Sequence, residues 1–364
     1  MLRLPLAPLG ILAPYPTRMD ATMNGRKKIS LGLQGGGSYG AFAWGVLDRL
    51  LEDGRLDIAA IGAASAGAIN AVALADGYAL GGGLDGARRS LDKFWTTLGR
   101  TALMSPMRPT PLDALKGNGS IESSPGYLML QLASATLSPG VLNPLNINPL
   151  ETLLASLVDF ERVRACELDL FVSATNLRTG RGRIFRRQEL TVRHVMASAC
   201  LPQVFAPVTI DGDAYWDGSF VGNPPLSPLV DEVTARDLLL IMNNPIARSD
   251  LPLSMADVHN RVNEIAFNIA LVREVSAIQH MAAAVDEETG ARVHMGGVRL
   301  HAISAMAVLR DLSISSKFNV DMGFILHLKA LGRDAAERWL REDIDGVGTA
   351  STFDPTHVYA PEIL

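Results

Sequence analysis

Cysteine is nearly absent from this chain. Cys166 and Cys200 are the only two among 364 residues, and they lack metal-ligand spacing. That argues against a disulfide framework and a cysteine-held zinc site, and free thiols fit a reducing compartment. Basic excess is absent too. Lys and Arg number 33 against 38 Asp and Glu, for a formal net charge of −5. Such a balance is a poor match for a phosphate backbone, so no nucleic-acid partner is expected. A clean membrane span is also missing. Ile58 to Ala75 is an uncharged run of 18 residues, long enough to be one. Yet Gly62, Ser65, Gly67 and Asn70 fall inside it. A buried strand, a tight turn and a buried helix account for it better. The expectation is a cytoplasmic protein, peripheral at lipid surfaces at most, with secretion left open. The apolar start Leu2 to Ala13 carries one early basic residue, Arg3, and is broken by Pro5 and Pro8, with Pro14 and Pro16 just beyond. It makes a poor signal peptide, and residues 1–26 read as a disordered extension.

What remains is a globular composition, 48% hydrophobic and 20% charged. Lys28–Gln34 reads as a first core strand and Ala41–Glu52 as a helix ended by Asp53-Gly54. Ile58–Gly62 is a second strand and Ala66–Ala75 a second helix. The β-turn-α-β-turn-α opening argues for an α/β layered sheet. Arg88–Leu98 extends the helical layer. From 101 to 150 prolines recur among Gly, Ser and Asn, which predicts loop or an active-site cap. Further on, Leu168–Asn176, Gly182–Phe185, Leu238–Met242 and Val298–Ile303 read as strands. Pro207–Ile210 and Ala214–Trp216 flank a tight Asp211-Gly212 turn. Val192–Ala199, Val258–Val285 and Phe318–Arg341 read as helices.

Two short stretches carry the chemistry. In Gly62-Ala63-Ala64-Ser65-Ala66-Gly67, small neighbours let the chain turn sharply and leave the Ser65 hydroxyl exposed at a helix start. That is the pattern of a nucleophile elbow, although Ala63 stands where glycine is usual. The positive end of the following helix favours an anionic intermediate. In Gln34-Gly35-Gly36-Gly37-Ser38-Tyr39-Gly40, consecutive glycine N–H groups can face a developing oxyanion. One such donor contributes about 3 kcal/mol in well-studied enzymes. Gly35, Gly37 and Gly40 also satisfy G-x-G-x-x-G, a dinucleotide fingerprint. That alternative needs an acidic residue ending the second strand, whereas Asp57 precedes it, and it leaves Ser65 without a role.

A serine nucleophile needs a base. The seven histidines (His194, His259, His280, His294, His301, His327 and His357) occupy no glycine- or acid-rich turn. A Ser-Asp-His triad would take a histidine after Asp217, such as His294 or His301. The other distinctive segment is Tyr215-Trp216-Asp217-Gly218-Ser219, followed by Asn223-Pro224-Pro225. An aspartate ending a strand before glycine can be held in a turn at the sheet's catalytic edge.

The glycine loop, the serine elbow and the later Asp-Gly, in that order, resemble the patatin-like phospholipases from about Lys28 to Asn244. The resemblance implies a three-layer α/β/α patatin-like fold with a mainly parallel sheet. It implies a Ser–Asp dyad without histidine: Ser65 as nucleophile, Asp217 as base. Gly35, Gly36 and Gly37 would form the oxyanion hole, with Ala63 and Gly67 supporting the elbow. Ala197-Ser198-Ala199-Cys200-Leu201-Pro202 is similar to the stretch preceding the family's aspartate. No metal or cofactor is implied, and the partner is a lipid or ester substrate. Three positions depart from the family pattern. Ala63 should be tolerated if its φ is negative. Tyr39 replaces a common basic residue, and Ser219, where glycine or alanine is usual, reads as neutral. Ser316-Lys317-Phe318-Asn319 and Gly332-Arg333 resemble a bacterial subgroup and carry no derivable chemistry. The expected organisation is an extension (1–26), a catalytic domain (27–245) and a mainly helical portion (246–364) packed on it. The expected function is acyl hydrolysis of lipid esters, with simple esters, intracellular polyesters or bare lipid binding as alternatives. Lipid approach would use apolar residues near Leu103–Met107 or Tyr127–Leu132.

Overall fold

The computed structural model describes residues 25–102, 105–134, 137–202, 205–246, 251–252, 255–283 and 297–355. The expected extension 1–26 lies almost wholly outside them, as do His294 and His357. The chain opens with β1 (Lys27–Leu33), α1 (Gly40–Asp53), β2 (Leu56–Ala63), α2 (Ala66–Gly77) and α3 (Gly83–Thr101). Asp57 therefore lies inside β2 rather than before it. All twelve residues of α2 are buried, which explains an apolar run without polar periodicity. No helix among the described residues is long and apolar enough to cross a membrane.

The proline-rich stretch is not plain loop. It folds into α4 (Pro111–Lys116), α5 (Pro125–Ser134), α6 (Pro139–Leu142) and α7 (Pro149–Leu157). A proline is the first residue of each. At that place its missing N–H costs nothing and its fixed φ suits the helix. After α8 (Phe160–Ala165) come β3 (Asp169–Asn176), β4 (Gly182–Arg186) and α9 (Val192–Ser198). Then follow β5 (Val208–Ile210), β6 (Asp213–Asp217), α10 (Ser227–Asp231), β7 (Asp237–Met242) and α11 (Met255–Ala283). The chain closes with β8 (Arg299–Ser304), α12 (Met306–Leu309) and α13 (Met322–Glu342). The last helix begins at Met322 rather than Phe318, because Asp321 caps it by accepting from the Gly323 and Phe324 N–H groups.

The strands form one eight-stranded sheet in the order β5-β6-β3-β2-β1-β7-β8, with β4 paired to β3. β3, β2, β1, β7 and β8 run parallel, while β4 and β6 pair antiparallel to β3. Alternate residues feed two cores. Leu31, Ile61, Leu170, Val172, Leu239 and Ile241 face α1, α2, α3 and α13. Phe171, Leu238, Leu240 and Met242 face α10 and α11. Helices therefore cover both faces, the arrangement a parallel sheet requires, and the layers are α/β/α. β1 and β2 both end at the same edge, where the glycine loop and the serine turn leave the sheet.

Candidate active site

β2 ends at Ala63, and α2 starts at Ala66. Ser65 stands between them with φ 53 and ψ −124, outside ordinary non-glycine space. A backbone so placed costs on the order of 1–3 kcal/mol and persists only where its surroundings hold it. They do: the Ser65 N–H donates to Ser198 Oγ at 2.9 Å, and the Ala64 N–H to the Leu33 carbonyl at 3.3 Å. Ala63 lies in β2 without a positive φ, so a methyl is accommodated there. A side chain at Gly67 would strike the backbone of Leu33. Ser65 is 8% exposed.

The glycine loop crosses directly over this serine. A Cβ on Gly35 would lie 2.7 Å from Ser65 Cβ and 2.9 Å from Ser219 Oγ, so only glycine fits. The Gly35 N–H, however, donates to Asn223 Oδ1 at 2.7 Å. Gly35 therefore supplies clearance and not a free oxyanion donor, a correction to the expected three-residue hole. Gly36 and Gly37 carry φ of 151 and 62, and their N–H groups donate to no described residue. Below the loop lies a buried amide network. Gln34 Oε1 accepts from the Asn243 and Asn244 N–H groups at 2.7 and 2.9 Å, and Gln34 Nε2 donates to Asn268 Oδ1 at 3.0 Å. Asn244 Nδ2 donates to the Gly35 carbonyl at 2.7 Å. Linked buried amides of this kind hold a loop in one geometry, although Asn243 Oδ1 and Asn244 Oδ1 have no partner among the described residues.

Asp217 ends β6, opposite Ala174 of β3, and is fully buried. Its N–H donates to the Cys200 carbonyl at 2.9 Å, and its carbonyl accepts from Thr175 Oγ1 at 2.6 Å. Oδ1 accepts the Ser219 N–H at 2.8 Å, whereas Oδ2 has no well-formed hydrogen bond among the described residues. The Ser219 and Ser65 hydroxyls still lie near enough to favour the charged carboxylate. Burial outweighs them and pushes the carboxyl up to about 6. The neighbouring Cys200 thiol is pushed up to about 12, chiefly by burial, and stays neutral.

Sequence reasoning left several residues unassigned. Ser198, Asn223 and the Asn243–Asn244 pair are polar groups closing apolar or Pro-flanked segments, the one signal that marked them. Ser316–Lys317 also acquires a place. Ser38 Oγ donates to the Ser316 carbonyl at 2.7 Å, Tyr39 Oη meets Ser316 Oγ at 2.8 Å, and the Lys317 carbonyl sits against Gly37. Lys317 Nζ, 5.7 Å from the Tyr39 ring centre, pairs with buried Glu264 at 3.1 Å. The described histidines whose partners are known lie elsewhere. His301 bonds Asp237 Oδ1 at 3.0 Å and Thr352 Oγ1 at 2.9 Å, at the start of β7 and the far edge of the sheet. His194 bonds Thr191, and His280 bonds the Ser276 carbonyl. A surface hollow lined by Asp76, Gly77, Arg89 and Arg162 lies at the opposite end of α2. Among the described residues no group of three or more His, Cys, Asp or Glu is placed to hold a metal.

A strained serine at the edge of a mainly parallel sheet, under a glycine loop and beside a buried aspartate, defines an α/β protein with a hydrolase-type elbow. The family model for patatin-like phospholipases matches residues 31–230, and the chain belongs to that family, one of lipid ester hydrolases. No curated protein sequence matches it. Among solved structures, VipD from Legionella pneumophila is 12% identical, covering 87% of this chain and 67% of that one, with a TM-score of 0.41. The type III effector ExoU is 14% identical over 86% of this chain and 53% of its own, with a TM-score of 0.31. Full-length ExoU with SpcU from Pseudomonas aeruginosa gives 15%, 87%, 53% and 0.33. This chain thus spans about half of the ExoU chains, and at these scores the family assignment rests on the matched residues.

Proposed function

We propose that the chain is a lipid acyl hydrolase working through a Ser65–Asp217 dyad and an acyl-enzyme. The observation that carries this reading is a buried carboxylate with one bare oxygen beside a strained serine. Oδ1 of Asp217 is occupied by the Ser219 N–H, which leaves Oδ2 to receive a proton. Ser65 Oγ attacks the ester carbonyl carbon while its proton passes to Asp217 Oδ2. The tetrahedral oxyanion is met by the Gly36 and Gly37 N–H groups, with the N-terminus of α2 adding its dipole. Collapse breaks the ester C–O bond, and the alcohol leaves with the proton from Asp217. Asp217 then takes a proton from a water whose oxygen attacks the Ser65 ester carbon; collapse breaks the bond between Ser65 Oγ and the acyl carbon, Asp217 returns the proton to Oγ, and free acid departs. A base near 6 is ionised at neutral pH, yet basic enough to accept a proton.

The test is fluorophosphonate labelling followed by mass spectrometry, together with hydrolysis of an ester panel graded by acyl length and head group. An adduct on Ser65 and a preference for long-chain lipid esters are expected. An adduct on another serine, or none, would sink the dyad. A preference for polymeric hydroxyacyl esters would move the substrate to polyesters.

Peripheral contact with the lipid surface is part of the proposal. Leu128, Met129 and Leu132 on α5 are exposed, while Tyr127 is buried. The Leu103–Met107 stretch falls partly outside the described residues. α11 adds an exposed apolar stripe of Met255, Val258, Val262, Ile265 and Ile269. Its opposite face buries Asn268, Leu271, Val275 and Ile278. Phe267 on this helix packs on Phe220, three residues after Asp217, with ring centres 4.8 Å apart. The stripe therefore lies along a helix that walls the site, and such contacts scale with buried apolar area.

A further inference from the structure

The segment Ser316-Lys317-Phe318-Asn319, from which the sequence yielded no chemistry, lies against the glycine loop. That loop needs holding. Glycine has more backbone freedom than any other residue, so consecutive glycines aim their N–H groups at an oxyanion only where something outside fixes them. The Gly35 end is tied by amides: Asn223 Oδ1 accepts the Gly35 N–H, and Asn244 Nδ2 donates to the Gly35 carbonyl. The Gly37 end meets the 3₁₀ turn Ile314–Phe318. Ser38 Oγ donates to the Ser316 carbonyl at 2.7 Å, and Tyr39 Oη lies 2.8 Å from Ser316 Oγ. A Cβ on Gly37 would strike the Lys317 carbonyl. Lys317 Nζ lies over the Tyr39 ring and pairs with Glu264 Oε1 of α11 at 3.1 Å. We propose that Lys317 is a positioning residue of the reaction, which clamps the Gly36–Gly37 end of the glycine loop by seating its carbonyl on Gly37 while its ammonium is anchored to α11 through Glu264. The proposal rests on reading Gly36 and Gly37 as the oxyanion donors for Ser65.

The clamp has a fixed base. The chain before α5 holds the turn: Ser315 Oγ accepts the Ile121 N–H at 3.1 Å, Asn319 Nδ2 donates to the Gly119 carbonyl at 2.9 Å, and the Ser313 N–H donates to the Asn118 carbonyl at 3.0 Å. Ser315, Ser316 and Asn319 are buried. The anchor is fixed as well. Glu264 is fully buried, and its other oxygen receives Arg261 Nη1 at 3.2 Å. Arg261 Nη2 in turn donates to the Ile246 carbonyl at 2.9 Å. Removing a partner from a buried ion pair is costly, so the Lys317 ammonium has little freedom to leave. Close by on α11, Asn268 Oδ1 accepts from Gln34 Nε2 at 3.0 Å, and the Phe267 carbonyl accepts from Asn223 Nδ2 at 3.3 Å. One helix thus carries both ends of the loop, through Gln34 and Asn223 at Gly35 and through Lys317 at Gly37. Precision there matters, because a misplacement of about 1 Å can cost about 10²-fold in rate.

The experiment compares wild type, Lys317→Met and Ser38→Ala on a soluble p-nitrophenyl ester and on a trifluoromethyl ketone of the same acyl chain, whose adduct on Ser65 carries the oxyanion. Lys317→Met keeps the stem and removes the anchor. It is expected to lower kcat by about 10–100-fold, with KM within about twofold, and to weaken the ketone by the same factor. Ser38→Ala cuts the bond to the Ser316 carbonyl and should move kcat and ketone affinity in the same direction by a smaller factor. His301→Ala, a control at the far edge of the sheet, should lower the melting temperature and move neither. If Lys317→Met lowers only the melting temperature or the fraction of titratable sites, with kcat per site and ketone affinity unmoved, Lys317 is merely structural and the proposal is overturned. A rise in KM at constant kcat would overturn it too. Should Lys317→Met fail to fold, Ser38→Ala and the double variant Lys317→Met with Glu264→Gln, which buries no carboxylate at that place, make the same comparison. Amide hydrogen exchange of protein with isotope-labelled glycine gives a readout without turnover. The Gly40 N–H donates to the Gly37 carbonyl. Its exchange should quicken in Lys317→Met and Ser38→Ala while that of Gly32 in β1 holds, and unchanged exchange at Gly40 would overturn the proposal. If wild type hydrolyses nothing and forms no ketone adduct, the functional reading falls, and the Gly40 exchange still decides whether Lys317 clamps the loop.

Discussion

Two buried aspartates mark opposite edges of the same sheet. Asp237 opens β7 and receives Arg299 Nε and Nη2 at 2.8 and 2.6 Å, the His301 ring at 3.0 Å and the Gly348 N–H at 3.0 Å. These partners outweigh burial and hold its carboxyl down, to about 2. Asp217 ends β6 with one amide partner and, among the described residues, no cation and no partner for Oδ2, and burial lifts it to about 6. The first is a carboxylate satisfied in every direction, a fastener joining β7, β8 and the chain after α13. The second keeps an oxygen without a partner among the described residues, which suits the proton-accepting role proposed for it. Perturbed carboxylates of this second kind cluster at sites of chemistry.

The largest expected effect breaks the functional half of that comparison. Ser65→Ala should abolish ester hydrolysis, and Asp217→Asn should lower kcat by about 10²–10⁴-fold, the range of general-base contributions. Circular dichroism should show both variants folded, and retained turnover in either would remove the dyad.

In stability the two aspartates should move in opposite directions. Asp217 has a folded value raised from 3.8, so its contribution is most favourable when protonated and is lost as pH rises through about 6. Two pKa units correspond to about 3 kcal/mol. Asp217→Asn should therefore gain stability at pH 8, up to that amount. Asp237 is lowered from 3.8, so its stabilisation is present above that value and is lost as pH falls through about 2. Asp237→Asn should lose about 3 kcal/mol, because Arg299 is left partly unpaired. Urea unfolding at pH 8 measures both, and equal signs would dissolve the contrast.

Activity and stability should also separate along the pH axis. Hydrolysis should rise through about pH 6 as Asp217 ionises, whereas acid unfolding through Asp237 belongs well below pH 4. A pH–rate profile beside a pH series of melting curves resolves them. His301→Ala should reduce thermal stability, since it strips Asp237 and Thr352 of a partner, and leave most of the activity. A loss beyond about a hundredfold would favour a histidine-bearing triad.

The smallest effect concerns the exposed apolar residues. Met129→Asp with Leu132→Asp, or Val262→Asp with Ile265→Asp, should weaken liposome flotation by severalfold and spare hydrolysis of a soluble short-chain ester. Binding should be largely salt-insensitive, given the net charge of −5. A steep salt dependence would point to a basic patch instead.

Much of the site was legible because its signals are local. The elbow is a run of small residues around Ser65, the loop is a run of glycines, and the Asp211-Gly212 turn appears with φ of 50 and 85. The proline-rich stretch misled because proline is a breaker inside a helix and a starter at its first position. Contiguity in sequence also over-assigned the oxyanion hole. Nothing near Gly35 announces that its amide is bonded by a residue 188 positions later.

By itself the sequence determined the layered α/β frame and the order of loop, serine and aspartate. Those are consequences of short-range backbone preference and hydrophobic patterning, which each segment carries alone. Only the tertiary structure decided which glycine amides stay free and that Ser198 holds the serine's own N–H from 133 residues away. It also decided that the Ser219 N–H meets Asp217, and that, among the described residues, one buried aspartate has partners on both oxygens while the other keeps one without. Hydrogen bonding and desolvation depend on what the fold brings within 3 Å, and no local pattern encodes that neighbourhood.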